Sequence, residues 1–168
     1  MNIIRIAMVG VICCACIYAE TLNGYVIGVS DGDTVKVLDA AKTQHRIRLL
    51  GIDAPESSQA FGQKSKQYLS SLIFNKNISI DYKEKDKYGR ILGTIYLEGE
   101  NINLKMVQAG LAWHYVYFAK DNKELAEAEA AARKGKLGLW ADAKPIPPWD
   151  YRYQKKRNAK GKNQAKGE

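Results

Sequence analysis

GYVIGVSDGDTVKVLDAAKTQHRIRLLGI, residues 24–52, is the stretch on which the fold turns. It divides into apolar-rich runs at 24–30, 34–39 and 44–52, separated by Asp31-Gly32-Asp33 and by residues 40–43. β-Branched side chains suit a pleated strand and Asp-Gly marks a tight turn, so the stretch predicts an antiparallel three-stranded meander. Downstream, residues 77–82 alternate polar and apolar with period two, and 91–97 form another apolar run behind the turn at Tyr88-Gly89-Arg90. That makes five strands.

Between the third and fourth strands, Phe61, Tyr68, Leu69, Leu72 and Ile73 recur at helical spacing, which predicts an amphipathic helix over 59–74. A second helix is expected behind Asn103 as N-cap, carrying Leu104, Met106, Val107 and Leu111 and stopped by Gly110. A third covers 123–134 and ends at Gly135. Five short strands with a helix between the third and fourth predict an α+β fold, a five-stranded oligonucleotide/oligosaccharide-binding (OB) barrel with about three helices.

The chain has 168 residues, enough for one domain with a core of its own, and its 46% hydrophobic and 26% charged composition is that of a globular protein. Residues 1–19 differ: one charge at Arg5 precedes an apolar run over 6–18, the pattern of a secretory signal peptide cleaved after Ala19. The run is shorter than the roughly 20 residues that span a membrane. Lipid attachment at Cys16 is the alternative. Export to the periplasm or medium is therefore expected. All three cysteines lie in this segment, so the domain at 20–144 has no disulfide or thiolate metal site. His45 and His114 are too few for a histidine zinc cage, and any catalytic metal should be hard and oxygen-bound.

The net charge of +8 is misleading as a guide to a site. Residues 20–151 hold 18 basic and 17 acidic side chains, whereas 152–168 hold seven basic and one acidic. The basic character is a tail property, and the proline-containing, lysine-rich stretch at 145–168 is expected to be a linker and disordered tail. Such a tail is either a solubilising end or an electrostatic tether for polyanions.

Four acids occupy two turns: Asp31 and Asp33 before the second strand, Asp53 and Glu56 at the end of the third. Barrel closure can bring these turns together. Arg48 shares the third strand with Asp53, and Arg90 follows the turn Asp86-Lys87-Tyr88-Gly89. Each segment alone also reads as ordinary turn chemistry or a surface arginine. Together they suit phosphoryl transfer, in which carboxylates hold a cation and activate water while guanidinium groups neutralise phosphate oxygens.

These residues resemble the staphylococcal nuclease (thermonuclease) family. The resemblance is carried by Val29-Ser30-Asp31-Gly32-Asp33-Thr34-Val35, by Arg48-Leu49-Leu50-Gly51-Ile52-Asp53-Ala54-Pro55-Glu56, and by Asp86-Lys87-Tyr88-Gly89-Arg90. Val107-Gln108-Ala109-Gly110-Leu111-Ala112 and Gly135-Lys136-Leu137-Gly138-Leu139-Trp140 extend it, so that it covers roughly residues 24–140 in register. It implies an OB barrel and a calcium-dependent nuclease acting on DNA, single-stranded or duplex, and RNA, leaving 3′-phosphates. Asp33, Asp53 and the Ala54 carbonyl would hold Ca2+; Ala54 departs from the family's frequent threonine. Glu56 would be the general base and Arg48 and Arg90 the phosphate-binding arginines. Lys87, Tyr88, Tyr115 and Tyr117 would meet substrate, or pack structurally. A monomer with no stable protein partner is expected. The competing expectations are a non-catalytic nucleic-acid-binding OB module and an exported surface adhesin.

Overall fold

The computed structural model describes residues 20–164. The signal peptide expected over 1–19 and the alternative lipid attachment at Cys16 fall outside the described residues. Strands β1 (Glu20–Asp31), β2 (Thr34–Asp39) and β3 (Gln44–Leu49) form the antiparallel meander read from residues 24–52. The third expected strand is interrupted: Gly51 turns the chain at φ 77° and β4 (Ile52–Asp53) leaves for a separate pairing. After helix α1 (Gly62–Ile73), β5 (Asn77–Lys85) returns antiparallel to β1 and β6 (Ile91–Leu97) to β5. A parallel pairing of β3 with β6 closes the five long strands into a barrel. β1 serves both β2 and β5 because register shifts between Val26 and Gly28, and between Val29 and Asp31, bend it.

The two-residue strand β7 (Glu100–Asn101) leads into helix α2 (Ile102–Gln108). β8 (Trp113–His114) pairs with β4, and α3 (Val116–Ala119), α4 (Lys123–Lys134), a 3-10 turn at Gly138–Ala141 and α5 (Pro148–Gln164) follow. Val26, Val35, Val37, Ile47, Leu49, Ile80 and Ile95 point inward from the strands and meet Leu69 and Ile73 of α1 and Met106 of α2 in one core. His45 pairs with Asp39 at 2.8 Å and His114 with the Ala119 carbonyl at 2.8 Å, so both histidines are structural.

Three further sequence expectations are corrected. Helix α1 begins at Gly62, not 59, because Phe61 is left-handed at φ 65°. Gly62 also packs where a Cβ would strike the Glu56 carbonyl. The cap of α2 is Asn101, whose side chain accepts from the Leu104 amide. Asn103 is buried; its Oδ1 accepts from the Ile95 amide at 3.1 Å and its Nδ2 donates to Leu50 at 2.9 Å and Gly93 at 3.2 Å. It ties the helix to the barrel strand. The largest correction is the tail, where residues 148–164 are helical. Pro148 stands in the first turn, where its missing N–H costs nothing, and Trp149 and Arg152 hold the helix to the domain.

Candidate active site

Two barrel turns carry the carboxylates, and a glycine lets them meet. A Cβ on Gly32 would overlap the side chains of Ser65 on α1 and Ala54 behind β4, so only glycine admits the β1–β2 turn this close. The turn is shaped by Asp31, whose Oδ1 accepts from the Asp33 amide at 3.2 Å. Asp33 then reaches across 21 residues: its Oδ2 accepts from the Ala54 amide at 2.7 Å and its Oδ1 from Thr34 Oγ1 at 3.1 Å. Asp53 lies on β4, opposite Trp113 of β8. Asp33 is 2% exposed and Asp53 0%, and acids so deeply placed need compensation.

Arg48 supplies it. On β3, opposite Thr34, its Nη1 pairs with Asp33 and its Nη2 donates to Asp53 Oδ1 at 2.6 Å. One guanidinium therefore bridges both acids, a fork geometry that lysine could not reproduce. A guanidinium has five N–H donors, so this bridging leaves several for a further oxyanion. Glu56 follows three residues after Asp53, and its amide donates to Gln59 Oε1 at 3.2 Å.

Arg90 stands at the other lip of the cleft. Asp86 Oδ1 accepts from the amides of Tyr88 and Arg90, each at 2.9 Å, and Asp86 Oδ2 accepts from Arg90 Nε at 2.7 Å. Burial pushes the Asp86 carboxyl up, but the Arg90 amide, the Arg90 guanidinium and the Tyr88 amide outweigh it and hold it below the usual carboxylate range. Tyr88 is 69% exposed, with Lys87 Nζ 5.2 Å and the Arg90 guanidinium 5.6 Å from its ring centre. Across from this lip, Tyr115 stacks on Trp149 at 5.4 Å and 24°, and Tyr117 projects at 81% exposure beside Phe118.

A cleft of about 710 Å³ joins these groups, with Asp33, Arg48, Ala54, Glu56, Lys87, Tyr88, Arg90, Tyr115 and Tyr117 all on its wall. Asp53 lies beneath it. The wall also includes two residues the sequence reading missed, Arg152 and Lys156 of α5. Arg152 donates to Asp53 Oδ2 at 2.7 Å, to Asp53 Oδ1 at 3.1 Å and to Glu56 Oε1 at 2.9 Å. Burial depresses its basicity, but the bonds to Asp53 and Glu56 prevail and hold it above the ordinary guanidinium value. The signal that could have found α5 is Pro147-Pro148-Trp149-Asp150-Tyr151-Arg152, a helix start with aromatic anchors inside a stretch read as polar.

A family model described as "Staphylococcal nuclease homologue" matches residues 46–142. The chain belongs to the staphylococcal nuclease family. An "Uncharacterized endonuclease" of Haemophilus influenzae is 47% identical over 133 residues, covering 79% of this chain and 74% of that protein. A protein of the same description from Escherichia coli is 44% identical over 135 residues, covering 80% and 87%. A "Micrococcal nuclease" of Shigella flexneri is 42% identical over 140 residues, covering 77% and 80%. In this member of the family, the barrel is the one the resemblance led us to expect.

The family implies calcium, and the donor chemistry here fits a hard cation. Asp33, Asp53 and Glu56 offer carboxylate oxygens, the donors such a cation takes, and here those oxygens are bonded by the guanidinium groups of Arg48 and Arg152. Among the described residues no group of three or more histidines, cysteines and acids gathers as a metal cage.

Proposed function

We propose that this chain is an exported, calcium-dependent nuclease that acts as a monomer and hydrolyses phosphodiester bonds in DNA and RNA with little sequence preference. The observation that carries this reading is the Asp33–Arg48–Asp53 bridge, whose Asp33 and Arg48 line the same cleft as Glu56 and Arg90. Asp33, Asp53 and the Ala54 carbonyl would hold the ion. Bound there, calcium would supply positive charge to a phosphate oxygen. Glu56 orients the attacking water and takes its proton as oxygen bonds to phosphorus. The P–O5′ bond then breaks; the departing 5′ oxygen takes a proton from solvent to become the downstream 5′-hydroxyl, and the phosphate stays on the 3′ end of the upstream product. Arg48 and Arg90 neutralise charge that grows on the non-bridging oxygens. Tyr88 and Tyr117 offer ring faces that stack on any base, and Lys87 meets a flanking phosphate. The apolar run at 6–18 is the basis for export.

The test incubates the chain with single-stranded DNA, duplex DNA and RNA, in calcium or chelator, and analyses product ends. Cleavage in calcium that stops with chelator and leaves 3′-phosphates is expected. Glu56→Gln, with its fold and calcium binding retained, should lower kcat by about a hundred to ten thousand fold. A folded wild-type sample that binds oligonucleotides in calcium but never cuts them would make the chain a binding module.

A further inference from the structure

Helix α5 lies beyond the family-matched residues 46–142, yet through Lys156 it forms part of the cleft wall. Neutral contacts fix its start to the domain. Trp149 stacks on Tyr115 at 5.4 Å and meets Trp113 edge-on at 5.6 Å. Tyr151 Oη donates to the Ser58 carbonyl at 3.0 Å, and just before the helix Gln59 Nε2 donates to the Ile146 carbonyl at 2.6 Å. None of these contacts uses a carboxylate of the site, so they hold α5 in place whatever those carboxylates bind.

Residues 148–164 hold six basic side chains and one acidic. Of these, Lys155, Lys156 and Arg157 are exposed, and none of the three forms an ion pair among the described residues. Their charge is therefore free for a ligand in the cleft. At a helical rise of 1.5 Å per residue, Lys156 comes about 7 to 8 Å further along the axis than Tyr151, which touches the catalytic loop. That is roughly two nucleotide steps at ~3.4 Å each, so Lys156 addresses a phosphate other than the one beside Glu56. On the β5–β6 lip the same wall carries exposed Lys85 and Lys87 beside Glu84.

We propose that Lys156 is the centre of a flanking-phosphate subsite, in which α5 grips the strand at a phosphodiester outside the one being cut and Lys155 and Arg157 add charge on either side. The inference deepens the nuclease reading above and rests on it for the cleft's ligand. An ammonium group is a point charge that meets phosphate oxygens and reads no base, so the subsite fixes the strand's position without imposing sequence. It differs from a diffuse tether because a helix anchored at its start delivers one lysine to one place on the cleft. An anionic membrane is the other polyanion such charge could meet, but a helix that lies on a membrane needs an apolar face. Among the described side chains of α5, Tyr153 is the one large exposed hydrophobic, at 67%.

The experiment measures binding of a fluorescent single-stranded oligonucleotide in calcium, on a Glu56→Gln background that slows cutting. To it are added, in turn, Lys156→Ala, the triple variant Lys155→Ala/Lys156→Ala/Arg157→Ala, and Lys134→Ala, an exposed charge at the end of α4 and off the cleft wall. Lys156→Ala should weaken binding about two- to fivefold and lower the slope of log affinity against log salt by about 0.7. The triple variant should lower that slope by up to about 2, and Lys134→Ala should leave it unchanged. One uncharged methylphosphonate linkage is then moved along the oligonucleotide. At one linkage away from the scissile one, Lys156→Ala should cost nothing further, because the phosphate it would have met carries no charge. Lys156→Ala matching Lys134→Ala overturns the proposal. So does a Lys156→Ala loss that is the same wherever the neutral linkage sits, which would make α5 a diffuse tether. A loss confined to binding of anionic phosphatidylserine vesicles also overturns it and gives the helix to a membrane surface. A wild-type chain that cuts nothing, yet loses oligonucleotide affinity through Lys156 as described, overturns the nuclease reading alone, so the two failures are distinct.

Discussion

Replacing Arg48 by Met removes the group that bridges two buried acids while keeping most of its length. Asp33 would lose its ion-pair partner at 2% exposure; Asp53, at 0%, would keep Arg152. Breaking a buried pair from one side costs about 3–5 kcal/mol, and the surviving Arg152 contact argues for the lower end, about 3 kcal/mol. A domain of roughly 145 residues has an unfolding entropy of about 0.3 kcal/mol/K, so the melting temperature should fall by roughly 10 °C in the absence of calcium. Adding Asp33→Asn removes the orphaned charge and should return about half of that loss. Activity should behave differently. Both variants lack a guanidinium for the phosphate and should lose on the order of a hundred to a thousand fold in kcat, with no recovery in the double variant. Calorimetry and a fluorogenic oligonucleotide assay read the two effects separately. Arg48→Met melting within about 2 °C of wild type would falsify the buried-bridge argument.

Two further outcomes follow from the lips of the cleft. Asp86→Asn should loosen the turn that presents Arg90. Because the folded Asp86 carboxyl lies below its unfolded value of about 3.9, its stabilisation is complete above that value and lost as pH falls through the lower folded value. The gap in melting temperature between wild type and Asp86→Asn should therefore be constant near neutrality and close below about pH 4; a gap that widens on acidification would contradict the bonding described. Tyr117→Ala removes a ring that is 81% exposed, so stability should hardly change. Single-stranded oligonucleotide affinity should drop about 5- to 30-fold, from a stacking contribution of about 1–2 kcal/mol, and equal affinity in fluorescence titration would show the ring to be idle.

Much of this molecule was legible along the chain. The β2 and β6 bounds came directly from apolar runs and turn residues, because local pattern and tertiary burial agree there. The same holds for α4, capped by Asn122 at one end and closed by Gly135 at the other. Asp33, Arg48, Asp53, Glu56 and Arg90 were expected as a set from register in family motifs, and the fold brings them together, Asp33, Arg48, Glu56 and Arg90 on one cleft and Asp53 bonded to Arg48. Asn103 misled because it has good capping chemistry, yet the barrel needed its amide for three backbone groups. The tail misled for a related reason: its composition is polar, and what orders α5 is contact with residues far away in sequence.

The sequence by itself determined the barrel, the identities of the acids and arginines, and the place of the basic charge at the C-terminal end. Alternation and turn chemistry are local, and local physics is written in adjacent residues. Only the tertiary structure decided that Arg48 spans Asp33 and Asp53, that Arg90 rests on Asp86, and that Arg152 returns across 96 residues to Glu56. An ion pair depends on distance and burial in the folded chain, and neither is a property of sequence spacing.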